Sequence, residues 1–80
     1  MEEVTVGKTT FREKMVGPEK VWVAMGGILP VIAAAIEFAK QKGENIKLCF
    51  NDTTVVVAPG SNQEEVWQNW TRLRYAQEKK

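Results

Sequence analysis

The chain has no histidine, one cysteine and one aspartate. Without an imidazole there is no serine–histidine or cysteine–histidine pair to make a nucleophile. A single thiol forms no intramolecular disulfide, and no Cys/His cluster exists to hold a structural zinc. No metal and no cofactor are therefore expected. Charge of one sign is lacking too: 11 Lys and Arg against 10 Asp and Glu leave a net +1. That balance provides no field to steer nucleic acid or an acidic partner. The N-terminus, Met1-Glu2-Glu3-Val4, is acidic and has no apolar core, so no signal peptide is expected. With the lone thiol, this points to the cytoplasm. There is no internal repeat and no low-complexity tract.

What remains is an ordinary globular composition, 44% hydrophobic and 26% charged over 80 residues. The length suits one domain over 1–80, with 1–9 either flexible or an edge strand. A domain this small buries only about 60% of its unfolded surface. Lacking disulfide and metal, it needs close packing or a second subunit.

Val4-Thr5-Val6 is β-branched and alternating. Thr10-Phe11-Arg12-Glu13 has the Thr-x-x-Glu form of a capping box and predicts a short helical stretch ending at Gly17. Pro18 suits the first position of another helix, over Pro18–Met25, although Val21-Trp22-Val23 fits a strand equally well. After Gly26-Gly27, the segment from Ile28 to Lys40 is an alanine-rich helix with Pro30 in its first turn and Gly43 as its stop. Ile46-Lys47-Leu48-Cys49-Phe50 and Thr53-Thr54-Val55-Val56-Val57-Ala58 flank Asn51-Asp52. With Asn51-Asp52 as a two-residue loop, Phe50 faces Thr53, Leu48 faces Val55 and Ile46 faces Val57, and all six share one face. Ser61-Asn62-Gln63-Glu64 is a second capping box, opening a helix from Asn62 to about Gln77. In that helix Val66, Trp70 and Leu73 form the stripe that covers the hairpin. Glu64 and Glu65 in its first turn, and Arg72, Arg74, Lys79 and Lys80 towards its end, suit the helix dipole. The fold class is α+β: an N-terminal irregular or helical segment, a central apolar helix, a β-hairpin and a C-terminal amphipathic helix.

Residues 21–36 carry no charge. A membrane span needs about 20 apolar residues, and this run is shorter and broken by Gly26-Gly27 and Pro30. Insertion through 21–36 is one reading. The favoured one is an oligomer seam, because the central helix is apolar nearly all round and one hairpin with one helix leaves part of it bare. Ile28, Val31, Ala34, Ala35 and Phe38 are the expected self-association residues. Monomeric packing against the N-terminal segment is the alternative.

Trp67, Arg74 and Tyr75 are the candidate partner-binding residues, since large aromatics and arginine dominate protein interfaces. Arg72, Arg74, Lys79 and Lys80, interleaved with aromatics, form an alternative nucleic-acid surface. Gly7-Lys8-Thr9-Thr10 resembles the tail of a phosphate-binding loop but lacks its upstream glycine. Asp52 serves its turn, Glu64 and Glu65 diverge on a helix, and Cys49 on the far strand face has no base beside it. No catalytic residue is identified and no enzyme activity is expected.

From Ala33 to Arg74 the chain resembles small accessory proteins of bacteriophages and prophages. The resemblance rests on the alanine-rich helix ending in Lys42-Gly43, the strand ending in Phe50-Asn51-Asp52, the valine run, Pro59-Gly60-Ser61 and the tryptophan-bearing helix. It implies a non-enzymatic protein that binds a host factor, inhibits a defence system or assembles with itself, in the host cytoplasm. It assigns no residue.

Overall fold

The computed structural model describes residues 2–78. It is an α+β fold with a five-stranded mixed sheet and two helices. The elements in chain order are β1 (Glu3–Val6), β2 (Thr9–Val16), β3 (Glu19–Ala24), α1 (Ile28–Lys42), β4 (Ile46–Phe50), β5 (Thr53–Val57) and α2 (Gln63–Glu78). Spatial order equals chain order, β1-β2-β3-β4-β5. Every neighbouring pair is antiparallel except β3–β4, which is parallel and bridged by α1.

The three antiparallel pairs are all two-residue hairpins. Val6 pairs with Thr9 around Gly7-Lys8, Val16 with Glu19 around Gly17-Pro18, and Phe50 with Thr53 around Asn51-Asp52. Such loops match the strand twist only with positive φ at defined positions. Gly7 and Gly17 supply it at the first loop position, with φ of 62° and 61°. Asn51 and Asp52 supply it at both, with φ of 51° and 64°. Around Gly17 there is open space, so a methyl group there meets nothing and costs only the left-handed backbone. Gly17→Ala is expected to lower stability by about 1–2 kcal/mol, read as a shift in urea midpoint at constant slope. An unchanged midpoint would show that this loop relaxes freely.

The N-terminal third therefore departs from the expectation of helical turns. Thr10–Glu13 lies in β2, and Pro18–Met25 is a turn followed by β3. The capping-box spacing is overridden because β2 is tied on both sides, to β1 and to β3. Its backbone groups find ladder partners there, which a helix of one or two turns could not equal. Val4-Thr5-Val6 is an edge strand. The central helix, the hairpin and its register stand as expected. At the end of α1, Gly43 adopts the left-handed conformation and donates to Lys40, while Glu44 donates back to Ala39, the Schellman closure.

Both helices lie on one sheet face. The core joins Val6, Phe11, Trp22, Ala24, Leu48, Phe50, Val55 and Val57 to Val31, Ile32, Ala35, Ile36, Phe38 and Ala39 of α1 and to Val66 and Trp70 of α2. Phe38 stacks on Phe11, with centroids 5.1 Å apart, and meets Trp22 edge-on at 4.9 Å. Three strands more than the hairpin alone widen the sheet, and this changes the account of α1. Of the expected seam residues, Val31, Ala35 and Phe38 are buried inside the chain's own core, and Ile28 and Ala34 are half-buried against it. Most of the surface of those five side chains is thus spent within one subunit. The uncharged run 21–36 is likewise divided between β3 and α1, and no helix among the described residues is long and apolar enough to cross a membrane.

Candidate partner-binding surface

The turn Ala58-Pro59-Gly60-Ser61 sets where α2 begins. The Ser61 hydroxyl accepts from the Ala58 N–H at 2.9 Å, and the Ser61 N–H donates back to the Ala58 carbonyl at 3.0 Å. Asn62 then caps the helix, its Oδ1 accepting from Glu64 N–H at 2.8 Å. The cap is therefore Asn62 rather than Ser61, because the serine hydroxyl is spent closing the turn. Both residue types serve either role, so spacing alone does not separate them.

From this start α2 runs back across β5 and beside α1. Val66 and Trp70 face inward, and Trp70 Nε1–H donates to the Phe50 carbonyl at 3.0 Å. Leu73, the third member of the expected stripe, is 44% exposed. It stays nearly in line with Val66, about one turn beyond Trp70, so the buried stripe ends one turn earlier than its spacing implied.

The expected partner residues do not form one patch. Trp67 is 39% exposed in the second turn of α2, and Tyr75 is 58% exposed two turns later, about 12 Å further along the axis. Arg74 lies with its guanidinium 5.4 Å from the centre of the Trp70 ring. It covers the aromatic from outside, where a cation adds about 0.5–1 kcal/mol. Arg72 points elsewhere, since residues two apart on a helix do not share a face, and donates to Asn69 Oδ1 at 3.1 Å. The proposed nucleic-acid stripe is thus split between two sides of α2, and its Lys79 and Lys80 lie outside the described residues.

Trp67 is brought beside a residue that sequence reasoning passed over. Leu29, in the first turn of α1, is half exposed. Leu29, Trp67, Asn62, Gln63 and Glu64 line an open depression of about 300 Å³. Gln63 Nε2 donates to the Leu29 carbonyl at 3.3 Å, joining the starts of the two helices. Met25, almost fully exposed, leads through Gly26-Gly27 into the same end of α1. A signal for Leu29 was present. Leu29, Ala33, Glu37 and Lys40 recur at helical spacing, and the two charges mark that stripe as the outer one.

Cys49 is half-buried on the sheet face away from the helices, as the alternation places it. Among the described residues no group of three or more His, Cys, Asp or Glu is arranged to hold a metal ion. Set against protein-family models, curated proteins and solved structures, the chain matches none of them.

Proposed function

We propose that this chain is a non-enzymatic accessory protein, of the kind bacteriophages encode, that acts by binding another protein. The observation that carries the reading is the pairing of Trp67 with Leu29 on an open depression at the junction of α1 and α2. An exposed tryptophan and leucine with polar Asn62, Gln63 and Glu64 at the margin have the make-up of an interface: an apolar centre inside a polar rim. The partner class is a host factor or a component of a defence system. Of the five expected seam residues only Ile28 and Ala34 keep part of their surface free, so the reading rests on the Trp67 surface.

The test uses the whole chain, immobilised, to retain proteins from bacterial lysate. Trp67→Ala is expected to weaken the retained complex by about thirtyfold or more, the mark of a hot-spot residue worth about 2 kcal/mol. The same variant is expected to shift unfolding stability by less than about 1 kcal/mol, because the side chain lies at the surface. A partner held equally by wild type and variant, or no partner retained, overturns the reading.

A further inference from the structure

At the opposite end of α1 from Trp67 lies a second concavity, of about 190 Å³, lined by Lys20, Trp22, Lys42, Asn45 and Lys47 together with one carboxylate, Glu44. Trp22 in that lining is itself buried. The ammonium of Lys20 stands 5.8 Å from the centre of that ring and the ammonium of Lys42 stands 5.7 Å from it. Lys42 is also 5.7 Å from the Phe38 ring. Two cations are thus gathered at one indole, one from β3 and one from the last turn of α1.

Three carboxylates bear on this end of the sheet: Glu44 in the lining, Glu19, and Glu13 opposite Trp22 in the ladder. Lys47, on the far wall, is committed to Glu19 at 2.9 Å. Lys42 meets Glu44 at 3.5 Å, longer than a charge-assisted hydrogen bond of about 2.7–2.9 Å. Lys20 has no carboxylate within ion-pair distance among the described residues. An aromatic face is a weaker counterpart to an ammonium group than an anion is.

We infer that the Lys20–Lys42 pocket over Trp22 binds a phosphoryl dianion. Lysine is a compact point charge with rotatable donors, without the planar fork by which arginine grips a carboxylate. A doubly charged tetrahedral anion gains most from two such charges, and the Asn45 amide supplies a further donor. The volume lies below the roughly 300 Å³ at which pockets begin to enclose whole organic ligands. The group bound is therefore a free phosphate or the terminal phosphate of a small monoester. This site is separate from the Trp67 surface and does not depend on the function proposed for it.

The three tryptophans make the test internally controlled. Inorganic phosphate is titrated into the full chain at constant ionic strength against chloride, with the indole N–H resonances followed by NMR. The expected result is a saturable shift at Trp22, with Trp67 and Trp70 on α2 unmoved. Lys20→Gln and Lys42→Gln keep most of the stem and are each expected to weaken binding by about tenfold, with a dispersed spectrum confirming the fold. Lys14→Gln, on the uncovered sheet face, is expected to change nothing. Phenyl phosphate is the second arm: tighter binding than phosphate assigns a monoester, and binding of phosphate alone assigns the free ion. Absence of a saturable Trp22 shift in both arms, equal shifts at all three indoles, or equal weakening by Lys14→Gln overturns the inference.

Discussion

Phe11→Ala is expected to lower unfolding free energy by about 3–5 kcal/mol, the cost of emptying an aromatic site that cannot collapse. Phe11 is wholly buried and stacks on Phe38 at an interplanar angle of 24°. Phe38 in turn meets Trp22 at 86°. The three rings tie β2, α1 and β3 together at the one place where the sheet must hold a parallel crossover. Across the ladder Phe11 sits opposite Ala24, whose single methyl group cannot move in to fill a void. For 80 residues the whole stability is about 4–12 kcal/mol, so this one change removes a large part of it. Thermal unfolding is expected to fall by at least about 12 °C. A loss under 1 kcal/mol would mean that β2 contributes little to the core and that the N-terminal hairpin is an accessory to the rest.

That same region explains why the fold was only partly legible. The α1 segment and the β4–β5 hairpin are written redundantly: alanine content, the Gly43 stop, Asn51-Asp52 and two strands alternating in step all agree. In β2 the pattern is nearly empty. Of its eight residues only Thr9 and Phe11 are buried, so Arg12-Glu13-Lys14 carries no period-two signal and a chance capping box stood out instead. The usable signs were the turns. Gly7-Lys8 and Gly17-Pro18 each place glycine first in a two-residue loop, which a helical reading leaves unexplained. Missing those strands also inflated the bare surface attributed to α1, because the covering sheet was counted as two strands instead of five. Trp67 was visible as an interface residue from its type, but Leu29 beside it was not, since pairing the two helix starts depends on the β3–α1 crossover. Lys20 and Lys42 are far apart in sequence, and only the placement of β3 as a strand brings them to one indole.

Trp70 and Trp67 lie three residues apart on α2 and are expected to give opposite results. Trp70→Ala should cost about 3–5 kcal/mol, because among the described residues of α2 only Val66 and Trp70 are buried. The indole meets Phe50 edge-on at 5.6 Å and donates to its carbonyl. Those contributions are worth about 0.5–1.5 kcal/mol each. Trp70→Phe keeps an aromatic ring and loses the donor, so a cost near 1–2 kcal/mol is expected in urea unfolding. An isolated helix of this length is marginal in water, so in Trp70→Ala the amides of α2 should exchange with solvent far faster than in wild type. Trp67 travels with α2, and Trp70→Ala will therefore weaken partner binding as well, through loss of the helix rather than of a contact. Trp70→Phe separates the two causes: it should cost stability and leave binding near wild type, whereas Trp67→Ala should cost binding and leave stability. Equal costs from Trp70→Phe and Trp70→Ala would show that the hydrogen bond to Phe50, not the packed ring, holds α2 in place.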